Sequence, residues 1–128
     1  MPVVIVADDE SDVNQLLRAT FRLAGFEAYT ANNAKDCLEI IEKVGIEKVD
    51  IVCMDGKLAA DRGAMLIVNI KKISNGRIKV FVIAERYLEE AKTRIFDYGA
   101  NEFSLKPISL NSIVEKVDIL LLEDAVKG

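Results

Sequence analysis

Five short runs of β-branched and other apolar residues alternate along the chain with longer segments in which apolar residues recur at helical spacing. This alternation predicts five strands, each followed by a helix. The predicted strands are Val3 to Ala7, Glu27 to Thr30, Val49 to Met54, Lys79 to Ala84 and Glu102 to Leu105. Strands one, three and four are apolar almost throughout, which indicates a parallel sheet covered by helices on both faces. The expected fold class is therefore α/β, with a doubly wound five-stranded parallel sheet.

The helical segments have clear apolar stripes and clear ends. The stripe of the first helix runs from Val13 to Ala24 and that of the last from Leu110 to Leu121; the helices between them are Ala34 to Val44, Arg62 to Ile73 and Tyr87 to Tyr98. A glycine follows each of the first four helices, and glycine readily adopts the left-handed conformation that ends many helices. Because no linker or repeat interrupts this series, residues 1–128 are expected to form one domain.

Composition narrows the possible functions. The net charge is -4, which argues against direct nucleic-acid binding, and the absence of histidine excludes Ser-His-Asp and Cys-His catalysis and histidine-bound zinc. Cys37 and Cys53 stand in apolar segments without metal-ligand spacing, so we expect buried free thiols in a reducing cytoplasm. The sequence shows neither a signal peptide nor an apolar run long enough to span a membrane, and the expected location is cytoplasmic.

Charged side chains stand at three predicted strand ends. Strand one leads into Asp8-Asp9-Glu10, strand three into Asp55-Gly56, and strand five into Lys106-Pro107. Functional groups of open parallel sheets gather beyond the carboxyl ends of the strands, so these side chains are expected to converge. A hard divalent cation with oxygen ligands can hold clustered carboxylates together, and Mg²⁺ is the natural candidate.

Such a cluster suits phosphoryl transfer. Asp55 could act as the nucleophile toward a phosphoryl group, with the metal and the Lys106 ammonium neutralising the phosphoryl oxygens. Taken singly, each motif has an ordinary explanation, because acidic residues often cap helices and Asp-Gly and Lys-Pro steps often lie in loops. Their joint position at strand ends is what predicts a phosphoacceptor site.

These motifs resemble those of the receiver domains of bacterial response regulators, over essentially the whole chain. Asp8 and Asp9 match the acidic pair for magnesium, Asp55 matches the phosphoacceptor, and Lys106-Pro107 matches the Lys-Pro step. Further matches are Gly63 and Gly99-Ala100. The resemblance implies the (βα)5 flavodoxin-like receiver fold and a phosphorylation-dependent signalling switch of a two-component system, not an enzyme that turns over a separate substrate.

The resemblance also implies finer roles. It places the backbone carbonyl of Lys57 among the metal ligands, a cis peptide before Pro107, and an aromatic switch residue at Phe103, for which a plain core role is the alternative. The implied partners are a sensor histidine kinase or phosphotransfer protein and a downstream protein or missing output domain. A homodimer through the fourth predicted helix, strand five and the last helix is a further implication.

One position departs from the family pattern. Ala84 stands where the family has a Ser or Thr whose hydroxyl bonds the phosphoryl group, so we expect phosphorylation of Asp55 to survive while its coupling to the fourth-helix face is weakened or rewired. This departure keeps open a pseudo-receiver, a protein-binding module that works without phosphorylation. A haloacid-dehalogenase-like phosphatase is a weaker alternative because Lys57 stands where its second acid is needed, and a flavodoxin-like flavin binder lacks a phosphate-cradling loop after strand one.

Overall fold

The computed structural model describes residues 1–127, with side chains described as far as residue 123. Its sheet has five strands, all parallel, in the order β2-β1-β3-β4-β5, which confirms the predicted fold class. The strands are β1 (Val3–Ala7), β2 (Glu27–Ala31), β3 (Ile51–Asp55), β4 (Lys79–Ala84) and β5 (Glu102–Leu105). The helices are α1 (Ser11–Leu23), α2 (Ala34–Val44), α3 (Gly56–Ala60), α4 (Leu66–Ile73), α5 (Lys92–Tyr98) and α6 (Leu110–Lys127), with a 3-10 turn at Arg86–Ala91.

Helices cover both faces of the sheet. On one face, α1 and α6 pack Phe21 and Val117 against the side chains that the central strands direct toward that face. On the other face, α2, α4 and α5 bury Ile41, Ile67 and Ile95 in a second apolar cluster. Every residue of β1 and β3 is buried, as expected for strands covered on both sides.

Two predicted helices differ from those in the structure. The helix predicted over 62–73 is shorter in the structure, where α4 begins only at Leu66, and a separate short helix that was not predicted, α3, begins directly after β3. A turn over 61–65 separates the two helices. In that turn Asp61 Oδ1 accepts a hydrogen bond of 2.8 Å from the Gly63 N–H, and Met65 has a left-handed φ of 47°. A side chain that bonds nearby backbone competes with a continuous helix. The helix predicted over 87–98 begins as the 3-10 turn and becomes α-helical only at Lys92.

The glycine stops and the cysteines agree with the predictions. Gly45 and Gly99 follow α2 and α5 with φ of 118° and 121°. Cys37 and Cys53 are buried free thiols, and burial raises the pKa of Cys37 to about 12. Within residues 1–127, no helix combines the length and apolar character that crossing a membrane requires.

Candidate functional site

Three carboxylates meet beyond the carboxyl ends of β1 and β3. These strands are neighbours with Ala7 opposite Met54, so Asp8 comes opposite Asp55. One carboxylate oxygen from each of Asp8, Asp9 and Asp55 lies within 4.8 Å of the other two. Asp8 and Asp55 are each only 5% exposed, whereas Asp9 faces solvent. Oxygen donors this close, two of them buried, fit a hard divalent cation such as Mg²⁺.

Burial and the neighbouring carboxylates raise the pKa of the two buried acids of the cluster. Desolvation, together with the neighbouring Asp55 and Asp9, raises the pKa of Asp8 to about 6, against the opposing effects of the Glu10 N–H and Lys106. Desolvation is also the largest cause of a raised pKa at Asp55, which Lys106 opposes. A bound cation would relieve this repulsion, since positive charge favours the ionised carboxylates.

Three hydrogen bonds, donated by Glu10 and Asn14, hold the acidic loop after β1 in place. The Glu10 N–H donates to Asp8 Oδ1 over 2.9 Å. The side-chain amide of Asn14 in α1, which is buried, donates to the Asp8 carbonyl over 2.8 Å and to the Ala31 carbonyl over 3.1 Å. Asn14 therefore ties α1 to the ends of both β1 and β2, and so positions Asp8.

Lys106 reaches the site from β5 but pairs with Glu85. Ala84 lies opposite Leu105 in the β4–β5 register, and the Lys106 N–H donates to the Ala84 carbonyl over 2.8 Å. The residues one step further, Glu85 and Lys106, therefore face each other, and Lys106 Nζ lies 3.4 Å from Glu85 Oε1. Lys106 is still near enough to lower the pKa of both Asp8 and Asp55. The peptide bond between Lys106 and Pro107 is cis.

Asp55 is also the N-cap residue of α3. Its Oδ1 accepts a hydrogen bond of 3.4 Å from the Lys57 N–H, so the carboxylate caps the helix that follows it. The Lys57 side chain is fully exposed, and Asp9, Tyr87 and Asp55 raise the pKa of its ammonium. Lys57 therefore places a second positive charge at the mouth of the acidic cluster.

Ala84 and Phe103 are both buried, on neighbouring strands of the sheet. Ala84 is fully buried at the end of β4, against Gly56 of α3. The Phe103 ring is buried in the core cluster. Its centroid lies 6.4 Å from the centroid of the Phe96 ring, and the Lys92 ammonium lies 5.9 Å from the Phe103 centroid. The ring thus lies beneath α5.

A cavity of about 690 Å³ opens beside the carboxylates, between α1 and the segment that leads into α6. Apolar side chains such as Leu16 and Ile108 line much of it, and its charged lining residues are Asp8, Glu10, Asp55, Glu85, Arg86 and Lys106. Asp55 is therefore open to this cavity.

Sequence reasoning missed two residues of this site. Asn14 stands among solvent-facing polar residues of the first helix, and only its place beside the apolar Val13 and Leu17 could have indicated burial. Glu85 follows the last strand-four residue and could have been found by counting one step beyond Ala84. Neither signal is specific without the register of the strands.

Comparisons with known proteins agree with the geometry. PrrA of Mycobacterium tuberculosis, a transcriptional regulatory protein, is 28% identical over 94% of this chain and 50% of its own length. The chain thus spans about half the length of the curated relatives it matches. The solved receiver domain from Clostridium thermocellum has a TM-score of 0.87 and is 22% identical to this chain. The CheY-like receiver domain from Methanospirillum hungatei has a TM-score of 0.86 and is also 22% identical. Each alignment covers 100% of this chain and at least 99% of the solved one.

A family model gives the assignment directly. The model described as the response regulator receiver domain matches residues 4–118, which include the acidic pair, Asp55 and the Lys-Pro step. We therefore conclude that this chain belongs to the response regulator receiver domain family.

Proposed function

We propose that this receiver domain is a phosphorylation-dependent switch of a two-component system and that Asp55 is its phosphoacceptor. The observation that carries the proposal is the convergence of Asp8, Asp9 and Asp55 within 4.8 Å at the carboxyl ends of β1 and β3. Receiver domains are signalling domains and not enzymes in the usual sense, and this chain is expected to modify itself and no separate substrate.

The chemistry is transfer of one phosphoryl group. A carboxylate oxygen of Asp55 forms a bond to phosphorus while the bond from phosphorus to the donor breaks, and the leaving group departs with that electron pair. The product is an aspartyl phosphate. Positioning and charge neutralisation dominate such transfers, and the Lys106 ammonium supplies one positive charge for the phosphoryl oxygens.

Mg²⁺ is the proposed cofactor. Asp8, Asp9, Asp55 and the backbone carbonyl of Lys57 would hold it, and it would neutralise charge on the phosphoryl oxygens. The raised pKa of Asp8 supports the proposal, because a buried carboxylate beside two others is stabilised by a cation more strongly than an exposed one is.

The proposed context follows from the family. Residues 1–128 act as a single receiver domain in the cytoplasm, and the phosphoryl donor is a sensor histidine kinase or a phosphotransfer protein. Its output passes to a downstream protein or to an output domain, and the transcriptional regulators that it matches over half their length favour such an arrangement. We propose that the signalling state forms a homodimer through the face made by α5, β5 and α6.

Intact mass spectrometry tests the phosphoacceptor. Treatment with acetyl phosphate and Mg²⁺ is expected to add the mass of one phosphoryl group to the wild type and none to Asp55→Asn. Asp97→Asn, which changes an exposed carboxylate on α5, is the matched control and is expected to be modified like the wild type. A wild type that gains no phosphoryl mass would overturn the proposal.

The pseudo-receiver remains the second candidate, and the missing hydroxyl at Ala84 is the observation that favours it. Titration with Mg²⁺ followed by NMR separates the two candidates. A signalling switch predicts amide shift changes around Asp9 and Asp55 in the millimolar range, weakened in Asp9→Asn. A pseudo-receiver that has lost the site predicts a flat titration in both proteins.

A further inference from the structure

The Glu85–Lys106 ion pair connects the active site to the segment after β4. Lys106 Nζ lies 3.4 Å from Glu85 Oε1, and the two side chains are 30% and 47% exposed. The pair is fixed by the β4–β5 register, since Ala84 and Leu105 lie opposite each other one residue earlier. The ammonium that a phosphorylated Asp55 needs is therefore already engaged by another carboxylate.

Glu85 is also joined to the 3-10 turn that follows it. Its carbonyl accepts a hydrogen bond of 2.9 Å from the Leu88 N–H, and the turn begins at the next residue, Arg86. The turn carries Tyr87, which is 62% exposed, and ends at the buried Ala91. A displacement of Glu85 would therefore move the exposed first part of this turn, while the buried Ala91 holds its other end in the core.

We propose that Glu85 is a positioning residue that holds Lys106 in the unmodified state and is displaced by the phosphoryl group. Once Lys106 turns to the phosphoryl oxygens, the Glu85 carboxylate loses its partner and faces the negative charge of the phosphoryl group. Because Ala84 has no hydroxyl to draw this segment inward, repulsion drives Glu85 and the Arg86–Ala91 turn outward. The inference rests on the proposed function and specifies how that site is regulated.

The alternative is that the pair is an ordinary surface ion pair with no regulatory role. Exposed pairs contribute little to stability, so the two explanations differ in the phosphorylation kinetics more than in unfolding. In the proposed role, Glu85 opposes phosphorylation both by holding Lys106 and by repelling the negatively charged donor. Both effects are electrostatic, and they weaken as salt shortens the screening length.

The test compares wild type, Glu85→Gln and Glu90→Gln during treatment with acetyl phosphate and Mg²⁺, at low and at high ionic strength. Glu90 is the matched control because it is an exposed glutamate within the same turn. At low salt, Glu85→Gln is expected to gain its phosphoryl group about two- to fivefold faster than wild type, the range expected for one exposed ion pair. The difference is expected to shrink at high salt, and Glu90→Gln is expected to follow the wild type.

NMR supplies a second readout that does not depend on the rate. Binding of beryllofluoride, a phosphoryl analogue, is expected to shift the amide resonances of Arg86 to Ala91 in the wild type and to shift them less in Glu85→Gln. Equal rates in the two proteins, or a rate difference that salt leaves unchanged, would overturn the inference while the proposed function stands. A wild type that gains no phosphoryl mass would overturn both.

Discussion

Gly56 and Ala84 meet so closely that only glycine fits beside the alanine. A Cβ atom built on Gly56 would lie 2.5 Å from the Cβ of Ala84 and 3.0 Å from its Cα. Gly56 follows Asp55 at the start of α3, and Ala84 ends β4. This contact therefore sets the distance between the helix that Asp55 caps and the end of β4.

Gly56→Ala is expected to destabilise the protein by about 1–3 kcal/mol, the usual cost of overpacking a closed site. The Ala84 methyl group cannot move away as the end of a long side chain could, because it is attached directly to the β4 backbone. Urea unfolding measures the effect. The double variant with Ala84→Gly makes room for the new methyl group, so it should recover part of the loss; a purely additive result would show that the two positions are not in contact.

Ala84→Ser tests how the switch is coupled. The added hydroxyl can donate to a phosphoryl oxygen, a charge-assisted bond worth about 1.5–3 kcal/mol. Both proteins are expected to bind beryllofluoride, but the serine variant should show larger amide shift changes across the turn at Arg86–Ala91. Serine is preferred to threonine because position 84 is fully buried and each further atom must find space. Responses of equal size would indicate that the missing hydroxyl is not what limits coupling.

Asp8→Asn is expected to stabilise the metal-free protein at neutral pH. The folded-state pKa of Asp8 is about 6, above the ordinary 3.8, so the folded chain holds a proton there more tightly than the unfolded chain does. Stability from this group is present at about pH 4 and is lost as the pH rises through 6. Asparagine stays neutral and keeps an oxygen to accept the Glu10 N–H.

Urea unfolding in the presence of a chelator checks this prediction. At pH 7 we expect Asp8→Asn to be about 1–3 kcal/mol more stable than wild type, and at pH 4 we expect the two to be similar. Asp97→Asn, at an exposed position, is the control for the loss of one carboxylate. Added Mg²⁺ should stabilise the wild type and leave Asp8→Asn nearly unchanged, since a cation bound only to the folded state adds to its stability. A variant less stable than wild type at pH 7 in chelator would contradict the prediction.

Asn14→Ala is expected to lower both stability and metal affinity. The substitution removes the side-chain donor of the Asp8 carbonyl, which costs about 1–3 kcal/mol when such a group is buried, whereas the Ala31 carbonyl still accepts the Asp8 N–H. Groups that orient metal ligands typically contribute about tenfold or more in affinity, so Mg²⁺ binding should weaken by about that factor. Asn69→Ala, which removes a hydrogen bond of 3.1 Å to the Ala64 carbonyl away from the carboxylates, should lower stability alone. Equal Mg²⁺ affinity in Asn14→Ala and wild type would show that Asn14 does not position Asp8.

Local patterns in the sequence were sufficient for the fold class and for most of the site. Strand and helix periods are properties of neighbouring residues, and their alternation leaves little choice but a parallel sheet with helices on both faces. Because all parallel strands then end at one edge, the positions of Asp8, Asp55 and Lys106 along the chain were enough to predict that they lie at that edge. The late start of α4 and the separate helix α3 were not predicted, because the Asp61 side chain and the left-handed Met65 override the apolar period between them.

Only the tertiary structure decided which partners these residues have. The pairing of Lys106 with Glu85, the hydrogen bond from Asn14 to Ala31 and the contact of Gly56 with Ala84 all join segments that are well separated in the chain. Each depends on the register between strands and on a few tenths of an ångström in packing. Residue periodicity carries no information about distances of that kind, because they are set by how the helices and the sheet fit together when the core closes.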